Sequence, residues 1–160
     1  MRPEQKLASE VLALLHQHQL LLATAESCTG GMIGQTLTDI PGSSQSYLGG
    51  VISYTNHVKA RLLQVPQQVL DTWGAVSEPV AKSMALGACQ ATGAQMAVSV
   101  TGLAGPDGDG SANPVGTVWI GLAWQGQAQA FHHLFSGSRD DIRRSACLAA
   151  LEHIKSALSD

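Results

Sequence analysis

The sequence has little of what most often announces a function. Charged residues make up 13% of the 160 and aromatic residues 4%, with a formal net charge of −3. That balance gives no general electrostatic pull toward nucleic acid or an anionic membrane, and neither is expected as a partner. Cys28, Cys89 and Cys147 form no C-x-x-C pair, which disfavours a disulfide framework or a zinc site and suggests reduced thiols in a cytoplasmic protein. The six histidines make no H-E-x-x-H and no cluster with cysteine. His132 and His133 are neighbours in a predicted strand and so point to opposite faces. Asp107 and Asp109 have a calcium-loop flavour but lack the acidic ligand that should follow. No metal and no cofactor is expected. Neither G-x-x-x-x-G-K-[ST] nor G-x-G-x-x-G occurs, which argues against the common nucleotide folds. No apolar run reaches the length of a membrane span, and Met1–Gln19 is amphipathic rather than signal-like. With 44% hydrophobic residues the chain is not disordered. One cytoplasmic domain over residues 1–160 is the expectation.

What is there centres on Thr24–Gly31. The apolar run Leu20-Leu21-Leu22-Ala23 feeds into Thr-Ala-Glu-Ser-Cys-Thr-Gly-Gly, and Met32, Ile33 and Leu37 follow at helical spacing. This reads as a buried strand, a tight polar turn and a helix start. Such a junction puts hydroxyls and free N–H groups at the carboxyl end of a strand, where open α/β sheets bind ligands. An ordinary turn with a Ser or Thr cap fits the same pattern.

Around it, apolar positions predict an amphipathic helix from Glu4 to about Gln19. Tyr47–Thr55 reads as a strand, followed by a short helix His57–Leu63 capped by Asn56 and another from Pro66 to about Trp73. Ser77-Glu78-Pro79 opens an Ala-rich helix to about Ala91 that suits close packing on a sheet. Met96–Thr101 is a second buried strand, followed by a glycine loop. Val115–Ala123 and Gln127–Phe135 form a hairpin about Trp124-Gln125-Gly126, and a capping box at Ser138 starts the last helix. The alternation predicts an α/β fold, a three-layer α/β/α sandwich with a mixed, mainly parallel sheet and a late β-hairpin.

The chemistry-bearing candidates are few. Ser27 fits neither G-x-S-x-G nor S-x-x-K. A parallel neighbouring strand would bring Tyr54 and Lys59 alongside it, and a desolvated lysine can act as base for a serine. The alternative is a solvated Lys59 and a core-edge Tyr54. The glycine loop at Thr101–Gly110 offers N–H donors for a phosphate or an oxyanion. Arg139, Arg143 and Arg144 crowd the start of the last helix, suited to phosphate or to pairing with Asp140 and Asp141.

Six segments together resemble the CinA carboxy-terminal domain family: Ala25–Gly31, Tyr54–Lys59, Gly74–Pro79, Ser99–Gly108, Pro114–Val118 and Phe135–Arg144. They run in order from about residue 20 to 145. Stand-alone members of that family are nicotinamide-nucleotide amidases. The resemblance implies metal-free hydrolysis of the carboxamide of nicotinamide mononucleotide to nicotinate mononucleotide and ammonia, in pyridine-nucleotide salvage. It places the nucleophile on Ser27 with Tyr54 and Lys59 as activating partners. Together with the loop chemistry it nominates Glu26, Thr29, Gly30, Gly31, Thr101, Gly102, Gly105 and Arg143 for substrate binding, with the oxyanion held by N–H groups around Thr29–Gly31. Asn113 stands where many relatives carry lysine. The amino-terminal pyrophosphatase-like domain of larger relatives has no counterpart in these 160 residues, so that activity is not expected. A non-catalytic nucleotide-binding module, a hydrolase of another amide, and Cys28 as nucleophile are the rival readings. Self-association into a homo-oligomer is expected from three Trp and the Ala-rich helix.

Overall fold

The computed structural model describes residues 1–159. Along the chain come α1 (Pro3–Gln17), β1 (Leu22–Glu26), α2 (Met32–Thr38), a 3-10 turn (Ser43–Gln45), β2 (Tyr47–Ile52), α3 (Asn56–Leu63), α4 (Gln67–Trp73) and α5 (Glu78–Thr92). β3 (Met96–Gly102), β4 (Thr117–Trp124), β5 (Gln127–Leu134) and α6 (Arg139–Leu158) complete it. The sheet order is β2-β1-β3-β4-β5. β1 lies parallel to both β2 and β3, and β3, β4 and β5 run antiparallel. The predicted three-layer sandwich with a mixed sheet and a late hairpin is what the chain forms. The hairpin turn is Gln125-Gly126 with both φ values positive, 58° and 75°, the backbone that matches the twist of two flanking strands.

Alternation along β1 sorts the core. Leu22 packs with α1, α2 and α6 through Leu15, Ile33, Leu151 and Ile154. Ala23 and Ala25 face the other way, onto Leu63, Val80, Met84 and Ala88 of the α3–α5 layer. α5 does sit close, as its small residues predicted. At Gly87 any Cβ would run into the Leu63 carbonyl, so the absence of a side chain there lets α3 seat against α5.

Both ends of α6 are fixed. Ser138 Oγ accepts from the Asp141 N–H at 3.2 Å and Asp141 Oδ2 accepts from the Ser138 N–H at 2.9 Å, the predicted capping box. Further along, His153 stacks on Phe131 of β5 at 3.9 Å between centroids, and its Nε2 lies 2.8 Å from His133 Nε2.

Candidate active site

The strand runs three residues deeper into the polar stretch than the apolar run suggested, ending at Glu26. Thr24 and Glu26 therefore share a face with Leu22, while Ser27 continues the phase of Ala23 and Ala25. Two residues that look alike in sequence are thereby sent to opposite sides of the sheet.

Glu26 points at α2. Its carboxylate accepts from the N–H groups of Ile33 at 2.9 Å, Gly34 at 3.0 Å and Gly31 at 3.2 Å. It caps the helix, with both carboxylate oxygens taken up by these N–H groups, and it does not line the cleft beside Ser27. Its predicted binding role gives way to a structural one because strand parity turns it from the cleft.

Ser27 is held by its N–H, which donates to the Val100 carbonyl at 3.0 Å. β2 ends beside it, the Ser53 N–H donating to the Glu26 carbonyl at 2.7 Å. Thr55, rather than the predicted Asn56, caps α3, its Oγ1 accepting from Val58 N–H at 3.4 Å, and Lys59 lies one turn on. Its side chain is 1% exposed, among the largest fully buried in the chain. Nζ reaches Ser27 Oγ at 2.9 Å, the Ser53 carbonyl at 2.8 Å and the Tyr54 carbonyl at 3.4 Å. No carboxylate pairs with it among the described residues. Burial without a counter-ion lowers its pKa to about 8. Two carbonyls can take two N–H bonds of the neutral amine, which leaves its lone pair for the Ser27 proton.

Cys28 is the wrong kind of neighbour for a nucleophile. Burial raises its thiol to about 11, so it stays protonated at neutral pH.

Of the oxyanion donors predicted at Thr29–Gly31, two are engaged within the turn. Gly30 N–H donates to the Ser27 carbonyl at 3.1 Å and Gly31 N–H to Glu26. Thr29 N–H finds no acceptor among the described residues, and neither does that of Cys28. Gly30 and Gly31 hold φ of 60° and 107°; they shape the turn rather than touch a ligand.

Arg143 is also placed elsewhere than predicted. Its Nε donates to the Cys28 carbonyl at 2.9 Å and its Nη2 to the Thr29 carbonyl at 3.2 Å. It braces the turn that follows Ser27 and does not line the cleft.

The cleft, about 280 Å³, is lined by Ser27, Cys28, Tyr54, Lys59, Thr101, Gly102 and Gly105, among others. That is near the lower end for small-molecule sites, roughly 300 Å³. Thr101 Oγ1 donates to the Ala75 carbonyl at 2.8 Å. Tyr54 enters the pair through its carbonyl; its hydroxyl sits 3.3 Å from Arg139 Nη2 and the side chain is 60% exposed.

A family model described as the CinA C-terminal domain matches residues 4–158. The chain belongs to the CinA C-terminal domain family. A CinA-like protein of Gemmatimonas aurantiaca is 46% identical over 156 residues, covering 98% of this chain and 36% of that protein. The chain thus spans about a third of the length of the curated relatives it matches. Among solved structures, a competence-damaged protein (CinA) superfamily protein from Klebsiella pneumoniae 700603 superposes with TM-score 0.96 at 30% identity over 99% of both chains. Competence/damage inducible protein CihA from Agrobacterium tumefaciens gives 0.91 at 37% identity, over 100% of this chain and 98% of that one.

In this CinA domain the cleft has walls the sequence did not assign. Arg139, Asn56, Asp107 and Asp109 all line it. Arg139 Nη1 donates to the Gly105 carbonyl at 2.6 Å, which ties the start of α6 to the glycine loop. Arg139 is the first residue of α6, beside the strand ends, and Arg143 lies one turn further along the same face. Asn113 sits off the cleft, its Nδ2 donating to the Val76 carbonyl at 3.2 Å.

Proposed function

We propose that this chain hydrolyses the carboxamide of nicotinamide mononucleotide to nicotinate mononucleotide and ammonia, with Ser27 as nucleophile and Lys59 as its base. The observation that carries the reading is a buried lysine with no counter-ion, Nζ 2.9 Å from a serine hydroxyl in a cleft. An ordinary structural lysine gains nothing from such a place, because burial disfavours its charge. A general base does gain, since a pKa near the working pH suits proton transfer.

The steps follow from the donors present. Neutral Lys59 takes the Ser27 proton as Oγ bonds to the carboxamide carbon, and the carbonyl electrons move onto oxygen. The open N–H groups of Cys28 and Thr29 are the donors for that oxyanion. Lys59 ammonium then returns its proton to the departing nitrogen, the C–N bond breaks and ammonia leaves. Water, deprotonated by the same amine, opens the acyl-enzyme and restores Ser27. Tyr54 serves by its carbonyl, which orients Nζ.

The choice of substrate rests on the family resemblance and on the cleft's charges. Arg139 offers a guanidinium to a phosphate, and Asp107 and Asp109 suit ribose hydroxyls or a cationic ring. The test is ammonia release from nicotinamide mononucleotide, with a chelator present and Lys59→Ala alongside. Chelator-resistant release that falls by about 10³-fold or more in the variant supports the reading. No release from the wild-type protein overturns it, and a panel of other carboxamides then separates a different hydrolase from a binding module.

A further inference from the structure

Arg143 has an unusual set of partners for a cation. It makes no ion pair among the described residues, whereas the adjacent Arg144 pairs with Asp140. Instead it gives Nε to the Cys28 carbonyl and Nη2 to the Thr29 carbonyl. The guanidinium comes from the second turn of a 20-residue helix fixed by its capping box and by buried Ile142, so it is a rigid support. Gly30 lies directly beside it, a Cβ there being in ordinary contact with Nη2 at 3.4 Å.

Unused donors gather at the gripped peptide. A trans peptide points its N–H opposite to its carbonyl. With the Cys28 carbonyl drawn onto Arg143, the Thr29 N–H of that plane is turned away from α6, and it has no acceptor. Thr29 Oγ1 is buried and also without a partner, the one such side-chain atom among the described residues. Native proteins seldom leave buried polar groups unpaired without a functional reason.

Resting on the proposed acyl transfer at Ser27, we infer that Arg143 is a positioning residue for the oxyanion, gripping the Cys28 and Thr29 carbonyls so that the Thr29 N–H is fixed and polarised beside the nucleophile. A hydrogen bond to a peptide oxygen strengthens the N–H of the same peptide. A cation there does so more, while never touching the substrate.

The experiment compares wild type, Arg143→Met and Arg143→Lys in two assays: ammonia release from nicotinamide mononucleotide, and the rate of Ser27 labelling by a fluorophosphonate. In labelling, Oγ bonds to phosphorus, fluoride leaves, the Ser27 proton goes to Lys59, and the phosphonyl oxygen takes the oxyanion position. The expected result for Arg143→Met is a kcat lowered about 10²-fold or more, with KM within about threefold, and labelling slowed in step. Arg143→Lys, which keeps the cation but not the fork, should fall between. Both variants should keep the midpoint of the pH–rate profile near 8, which a disturbed Lys59 would move.

Unchanged kcat and labelling overturn the inference. A loss confined to KM also overturns it, making Arg143 a phosphate contact. Should Arg143→Met fail to fold, Arg143→Lys alone decides by the same criteria. Wild-type protein that is labelled but releases no ammonia overturns the substrate reading, and the labelling rates still judge Arg143. Wild-type protein that does neither overturns both.

Discussion

In the proposed hydrolysis Lys59 sets the chemistry at the scale of one residue. Its pKa of about 8 follows from burial, and the base must be neutral to accept a proton. Activity should therefore rise with pH, kcat/KM reaching half its plateau near pH 8; a profile already flat from pH 6 would contradict this assignment. The same shift carries a stability cost. Between pH 8 and the ordinary lysine value the unfolded chain binds more protons than the folded one, so stability rises with pH in that window and the full penalty applies below 8. At pH 7 the penalty is about 3 kcal/mol, at roughly 1.4 kcal/mol per pH unit. Lys59→Met keeps the volume and removes the charge. It should abolish turnover while leaving Tm equal to or above wild type, the lost bonds to the Ser53 and Tyr54 carbonyls being the opposing effect. A Tm lowered by many degrees would show that the lysine is structural. Parallel strands bring their carboxyl ends together, so the sequence offered the juxtaposition of Ser27 and Lys59 beside the alternative of a solvated lysine, and the family resemblance pointed to the first. The part of Tyr54 was not, since its contribution is a carbonyl and spacing says nothing of which atom of a residue does the work.

Glu26 shows what an element requires of a residue that looks catalytic. α2 has seven residues, too short to persist by its own propensity, and the Glu26 carboxylate satisfies three N–H groups at its start. Glu26→Ala should cost about 3 kcal/mol in denaturant unfolding and lower kcat about tenfold through a loosened turn, with KM little changed. A variant of wild-type stability would return Glu26 to the list of ligand contacts. Element existence and order were all readable in the sequence, including the α3 helix, the hairpin turn and the capping box. The β1 boundary was not, because Thr24 and Glu26 are polar residues on a buried face and masked the strand's continuation. Arg139 and Arg143 were confused for a related reason: both share one helix stripe, and only the docking of α6 on the sheet says which turn meets the cleft.

Across the whole molecule, the late hairpin and the last helix are joined by a pair of imidazoles. Burial is the main cause that lowers His153 to about 4 and also lowers His133. A histidine depressed in the fold is protonated more readily in the unfolded chain, so stability is lost as pH falls through the ordinary histidine value toward 4. Thermal midpoints should decline faster between pH 7 and 4.5 in the wild type than in His153→Gln; parallel curves would remove the pair from the acid response. His132, on the other face of β5, packs on Trp119, and its charge is the second cause, after burial, that lowers His133. That the two adjacent histidines part company was readable from strand alternation, whereas the meeting of His133 with His153 depends on how α6 lies across β5. The fold also orders events in time. Ser27 and Lys59 both precede residue 63, the end of α3, yet the strand and helix that enclose them, β3 and α5, come later in the chain. A chain made only as far as residue 63 therefore lacks the strand and helix that bury Lys59, and with them the cause of its lowered pKa.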